Sequence, residues 1–214
     1  EDPVEYDLEG INQINVNAEI DVTFERALRH ILRQDPDKVM VGEIRDMETA
    51  DMAIHTSLTG HLVLSSLHTN DAPSAITRLV AMGVDPYLVA STLEGVIAQR
   101  LPRRVCKQCC THAAPTAAEL ESMGVSPDEA SDDWLVPHPV GCPVCRNTGF
   151  KGRTGMFEIM HINDELRAMA LESIASSQLR AAAIRAGMRT LRQDGWRKAL
   201  AGTTTVEEVR RLTP

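Results

Sequence analysis

Between Val22 and Arg33 the apolar residues Phe24, Ala27, Leu28, Ile31 and Leu32 recur at i, i+3, i+4, i+7 and i+8, one buried stripe of a helix. Thr23 or Asp21 can cap it. Arg26, Arg29 and Arg33 share the opposite face, about one turn apart. The helix stops at Asp35–Pro36, because proline biases the residue before it away from helical angles. Residues 38–42 (Lys-Val-Met-Val-Gly) form a short apolar run of the kind that makes a strand covered on both faces. A helix over 46–58, a second strand over 61–66 and a helix over 71–82 follow, the last capped by Asn70 or Asp71. The helical pattern is expected to continue over 86–99, behind Pro86. Strands alternating with helices of ten or more residues imply an α/β fold, a parallel sheet with crossover helices.

The pattern changes at Leu101-Pro102-Arg103-Arg104. From Cys106 to Arg153 periodicity is weak apart from a short helix over Thr116–Met123, and all five cysteines lie there, so this segment reads as a separate small module. Helical signals return over 164–171, 176–186, 193–201 and 205–212, with Ser, Asn, Asp and Thr at plausible starts and Gly187 and Gly202 at plausible stops. No internal repeat is evident.

Of the 214 residues, 43% are hydrophobic and only seven are aromatic, so a real core is available and it must be aliphatic. No apolar run reaches the ~18–20 residues of a membrane span and no basic-then-apolar leader opens the chain, which makes the cytoplasm the expected compartment. A net charge of −8 argues against a nucleic-acid partner, since phosphate binding needs clustered Lys and Arg. The chain begins at Glu1 rather than Met and is expected to be a piece of a longer protein.

Cys106 and Cys109, and Cys142 and Cys145, are two Cys-x-x-Cys pairs 32 residues apart, each able to turn two thiolates toward one point. Four such sulfurs make a closed tetrahedral zinc site, and Gly141, Pro143 and Gly149 supply the turn a metal knuckle needs. Disulfides or a redox dithiol are the alternatives, and a cytoplasmic setting disfavours the former. Cys110 has no expected role. Glu43 ends an apolar strand, where open α/β sheets put their ligands and a water-polarising base of nucleotide hydrolysis would sit; an acid opening a solvated loop gives the same pattern. Asp2, Glu5, His61 and His68 are ambiguous one by one.

In combination these segments are specific. The opening Glu1–Tyr6, then Arg33–Asp46, then Ser57–Asn70, then the paired cysteines, resemble in that order the secretion ATPases: the type II secretion family of general secretion pathway protein E first, the type IV pilus assembly ATPases next. The resemblance covers essentially the whole chain. It implies a RecA-like ATPase core, of which residues 1–105 are the second part, a tetracysteine zinc module over 106–155 and a helical C-terminal region over 156–214. It implies that the opening stretch is the family's aspartate box, with Asp2 near the nucleotide and Glu5 helping to arrange Mg²⁺ and water. Glu43 matches the glutamate of an atypical Walker B strand, with Gly42 where ordinary P-loop enzymes carry a metal-binding Asp. His61 and His68 match a histidine box that senses the γ-phosphate, and Arg29 and Arg33 match basic residues reaching nucleotide at a subunit boundary. The same Arg stripe is also what a solvated helix face looks like. The implied whole is a homo-hexamer that hydrolyses ATP to drive pseudopilus assembly and protein export, cytoplasmic and peripheral at the inner membrane through secretion-platform proteins. One element is missing. None of the four lysines (38, 107, 151, 198) follows a glycine, so the Gly-x-x-x-x-Gly-Lys-Ser/Thr phosphate loop is not in these residues, and the 214-residue chain alone is expected to be inactive, a zinc-bearing interaction module at most.

Overall fold

The computed structural model describes residues 1–213, without the side chains of residues 18 and 127; Pro214, the end of the region read as helical, lies outside it. The elements run α1 (Phe24–Ile31), β1 (Lys38–Val41), α2 (Met47–Leu58), β2 (Leu62–Ser65), α3 (Pro73–Ala81) and α4 (Pro86–Thr92). There follow β3 (Gly95–Arg100), β4 (Arg103–Val105), β5 (Thr111–Ala113), α5 (Ala117–Met123), β6 (Val136–His138), β7 (Phe150–Arg153) and β8 (Met156–His161). The chain closes with α6 (Asp164–Leu171), α7 (Ser176–Arg185), α8 (Leu191–Leu200) and α9 (Val206–Leu212). Two compact units result, one of residues 1–96 with 161–183, the other of 97–160 with 184–214. No helix among the described residues is long and apolar enough to cross a membrane.

In the first unit β1 and β2 pair in parallel, Val39 opposite Val63 and Val41 opposite Ser65, with α2 as the crossover. This is the arrangement that the alternating strand and helix signals predict. Val39 and Val41 point inward and pack with Leu28 of α1, flanked by Phe24, Ile31, Leu32 and Met52. The stripe read from the sequence is therefore the face that covers β1. Thr23, rather than Asp21, caps α1, its hydroxyl accepting from the Arg26 N–H at 3.2 Å. Asp46 caps α2 through the Thr49 N–H at 2.8 Å, so the strand carrying Glu43 passes through a five-residue link into a well-started helix. Arg180 of α7 pairs with Asp71 ahead of α3, and Arg167 of α6 reaches the Ala90 carbonyl and Glu94 at the end of α4.

The helix expected over 86–99 is corrected. It stops at Thr92, Leu93 turns extended, and residues 95–100 are strand β3, hydrogen-bonded to β8. Gly95 weakens the helix, Val96 and Ile97 are β-branched, and the pairing partner lies some sixty residues downstream, beyond the reach of a local pattern.

In the second unit β4 and β7 pair antiparallel, as do β5 and β6. Leu120, Met123, Val136, Met156, Leu191, Val206 and Val209 are buried around the edge-to-face pair Trp134–Trp196, ring centroids 5.4 Å apart. Glu208 is buried within this unit and is held from three sides. The Arg103 N–H donates to it at 3.0 Å, the Arg103 guanidinium at 2.6 Å, and Arg211 in a two-pronged pair at 3.0 and 2.9 Å. Burial alone would raise its pKa; the Arg211 and Arg103 contacts win and bring it down to about 2. A carboxylate depressed on folding adds stability above its ordinary pKa and loses it as pH falls through the folded value. Glu208→Gln should therefore cost roughly 1.5–3 kcal/mol in urea unfolding at pH 7. The gap to the wild type should close as pH is lowered from about 4 toward 2.

Candidate functional site

Strand β1 delivers Gly42 and Glu43 to its carboxyl end. The ladder with β2 is extended there by two further bonds: the Ile44 N–H to the Ser66 carbonyl at 3.0 Å and the Ser66 hydroxyl to the Gly42 carbonyl at 2.7 Å. This register brings His68, 25 residues downstream, beside Glu43, its Nε2 3.1 Å from Oε2. The other carboxylate oxygen, Oε1, is paired with the Arg45 guanidinium, which also faces the Asp2 carboxylate at 3.7 Å. The Glu43 side chain is 14% exposed and His68 is 87% exposed, so a seated carboxylate carries a solvent-facing imidazole. Arg45 beside it, with a smaller contribution from His68, holds the Glu43 carboxyl below its ordinary range and thus ionised at neutral pH. At Gly42 a Cβ would come within 3.3 Å of the Glu1 backbone, so the glycine lets the opening segment lie against the end of β1 and bring Asp2 to Arg45.

The residues singled out by sequence do not all converge. Glu43 meets His68 directly and Asp2 through Arg45. Glu5 is exposed and makes no ion pair among the described residues. His61 is turned to the end of α2, its Nδ1 at 3.1 Å from the Thr56 carbonyl and 3.0 Å from the Thr59 hydroxyl. The carbonyl can only accept, so it holds the ring proton on Nδ1 and leaves Nε2 as the acceptor. Arg29 and Arg33 line a cavity of about 440 Å³ together with Glu25, Arg26, His30 and Glu48. Arg29 is paired with Glu25 one turn earlier, and Arg33 is exposed. Arg45 is the functional neighbour that the sequence reading passed over. Its position two residues past Glu43, on the same side of an extended backbone, was the available signal.

In the second unit the sulfurs of Cys106, Cys109, Cys142 and Cys145 all lie within 4.8 Å of one another. Neighbouring pairs stand 3.8–3.9 Å apart, whereas a disulfide would need about 2.05 Å. Four sulfurs at ~2.3 Å from a central tetrahedral ion would be about 3.8 Å apart, so the spacing is that of a four-thiolate metal cage. Backbone N–H groups of Gly141, Cys142 and Gly149 donate to the Cys109 and Cys145 sulfurs at 3.2–3.3 Å. At Cys145 burial opposes ionisation, but the N–H groups of Cys142 and Gly149 outweigh it and lower the pKa; at Cys109 burial dominates and raises it. Gly149 is required for this knuckle: its φ is +75°, and a Cβ would sit 2.4 Å from the Pro139 side chain. Cys110 is outside the cluster, its N–H spent on the Cys106 carbonyl at 3.0 Å.

Comparison with known proteins gives the same direction throughout. The family model described as type II/IV secretion system protein matches residues 1–211. The type II secretion system protein HxcR of Pseudomonas aeruginosa is 54% identical over 213 residues, covering 100% of this chain and 41% of that protein. The type IV pilus assembly ATPase PilB of Thermus thermophilus is 49% identical over 209 residues, covering 98% of this chain and 23% of that protein. The chain therefore spans less than half the length of either relative. Among solved structures, the pilus retraction motor PilT with bound ADP superposes with a TM-score of 0.69 at 26% identity, over 100% of this chain and 51% of that one. With its family model matched along nearly the whole length and relatives about half identical throughout, the chain belongs to the type II/IV secretion system protein family.

Proposed function

We propose that the chain is the C-terminal portion of a hexameric secretion ATPase that couples ATP hydrolysis to pseudopilus assembly and protein export. In this reading residues 1–105 belong to a RecA-like core, 106–155 form a zinc module and 156–214 a helical C-terminal region. The whole protein is cytoplasmic and reaches the inner membrane through platform proteins. The observation that carries it is the Glu43 carboxylate at the end of β1, ionised between Arg45 and His68. Glu43 is the acceptor of a proton from an attacking water, a step for which one of its oxygens must be freed from Arg45 or His68. Asp2, 3.7 Å from the same guanidinium, is the second place that Arg45 can go. His68, exposed and adjacent, is the group that meets the terminal phosphate, with His61 the second histidine of the same sensing box. Arg29 and Arg33 face the nucleotide of a neighbouring subunit. Mg²⁺ would arrive with ATP, since Gly42 brings no carboxylate and among the described residues Glu5 and Glu43 belong to no metal-holding cluster. A type IV pilus assembly ATPase is the second reading, favoured by the similarity to PilB.

In the full-length protein Glu43→Gln should retain ATP binding and lower turnover by roughly 10²-fold or more, because a positioned base typically supplies 10²–10⁴. Turnover that stays near wild type in a steady-state ATPase assay would remove Glu43 from the mechanism. Arg45→Gln should move the acid limb of the pH–rate profile upward, since Arg45 is what holds the Glu43 carboxyl low. The 214 residues alone, without a phosphate loop, should show no turnover; robust hydrolysis by them would overturn this partition of the site.

The four sulfurs fit Zn²⁺: all-thiolate donors, four in number, at tetrahedral spacing. Bound there, zinc is structural, because four protein ligands leave no position open for water. Metal analysis of the purified chain should find one zinc, lost on Cys→Ser substitution at 106, 109, 142 or 145 and retained in Cys110→Ser. A zinc content near zero, or loss in Cys110→Ser alone, contradicts the site.

A further inference from the structure

We infer that Glu25 is a positioning residue for Arg29, holding its guanidinium on the surface of α1 and setting how readily it passes to an anion presented from outside the chain. The inference rests on the reading of Arg29 as a residue that acts on a neighbouring subunit's nucleotide.

Glu25 lies in the first turn of α1 and Arg29 one turn later, the order in which an acid and a base on a helix attract best. The two side chains are paired, and their exposures differ: 23% for Glu25 and 65% for Arg29. The carboxylate is thus the anchored partner and the guanidinium the one that solvent or another molecule can reach. Glu25 is anchored by a hydrogen bond between its carboxyl and that of Glu48, in the first turn of α2. Two carboxyls in such contact cannot both ionise freely. The Glu25 bond, and then the Glu25 charge, push the Glu48 pKa up, with Asp46 adding to the rise and Arg29 opposing it. The Glu48 carboxyl therefore ionises less readily than a free one, and the Glu25 carboxylate beside it is paired with Arg29.

Around this arrangement the cavity supplies the rest of an exchange site. Arg33 and His30 face it, and among the described residues Arg33 has no acidic partner, while Arg26 is taken up by Asp21. A phosphate group entering from outside meets Arg33 first and then competes with Glu25 for Arg29. On transfer Arg29 exchanges one set of carboxylate oxygens for phosphate oxygens, and Glu25, only partly buried, is left open to solvent. Glu48 stands five residues beyond Glu43, in the first turn of the helix that the Glu43 link enters, which ties the hold on Arg29 to the segment that bears the proposed base.

A guanidinium that must leave one anion to serve another acts only in the fraction of molecules where it is free. Steady-state ATP hydrolysis by the full-length protein tests this. Glu25→Gln keeps the shape but loses the charge; it should raise kcat/KM for ATP by about two- to fivefold, the range of an exposed ion pair. Glu25→Asp, one methylene shorter, should fall between, and the increase should vanish in the Glu25→Gln, Arg29→Ala double variant, because Glu25 works through Arg29. If Arg29→Ala lowers activity while Glu25→Gln leaves or lowers kcat/KM, or if the increase persists in the double variant, the positioning role is wrong and the reading of Arg29 survives. If Arg29→Ala has no effect, that reading fails and the positioning role with it.

Discussion

The parallel pairing of β1 with β2 is the constraint on which the candidate site depends. Four residue pairs, from Lys38 with Leu62 to Val41 with Ser65, set the register, and the Gly42–Ser66 and Ile44–Ser66 bonds carry it past the ends of the strands. Shifting the pairing by one residue would turn Val39 and Val41 out of the core and carry Glu43 away from His68. Burial of the two valines against Leu28 and the placement of Glu43 beside His68 are thus one event. Gly42 belongs to the same constraint, because a Cβ there would lie 3.3 Å from the Glu1 backbone and the opening segment would have to give by a few tenths of an ångström.

Electrostatically the candidate site of the first unit is organised around two guanidiniums held by acids. Arg45 lies between Glu43 and Asp2, and Arg29 is held by Glu25, which is itself bonded to Glu48. Charges arranged in this way are exposed enough to be exchanged and close enough to be held, which suits a site whose partner comes and goes. Fully buried ion pairs would not, since removing one partner leaves the other stranded at a cost of several kcal/mol.

The second unit solves a different problem. Its strands are three to six residues long and the segment between the cysteine pairs brings few large apolar side chains to the core. Four sulfurs drawn to one point close a loop that such a core would leave loose, and the Trp134–Trp196 contact and the Glu208 network tie that loop's base to α8 and α9. The Trp134–Trp196 contact joins residues 62 positions apart and the Arg103–Glu208 pair residues 105 apart, so the module is held mainly by non-local contacts.

Much of this was legible in the residues themselves. The stripe of α1, the caps at Asp46, Thr116 and Asn163, the β1–α2–β2 unit and the four cysteines all follow from local periodicity, capping chemistry and spacing, because each depends on neighbours within a turn or a knuckle. The place of Glu43 just past an apolar strand was legible for the same reason, but not the strand's cover: β1 is buried on one face only, through Val39 and Val41, while Met40 is exposed. What the sequence could not decide were the pairings between distant segments. Residues 95–100 became strand rather than helix because β8 was there to receive them, and Arg45, already near Glu43 in the chain, gained Asp2 as a second acid because the opening segment folds back to it. His61 and His68 look alike in sequence, but the end of α2 takes one ring and the carboxylate of Glu43 the other. A side chain's composition and its near neighbours state what it can bind; which group it meets is decided by backbone register and by contacts across the fold, where local pattern carries no information.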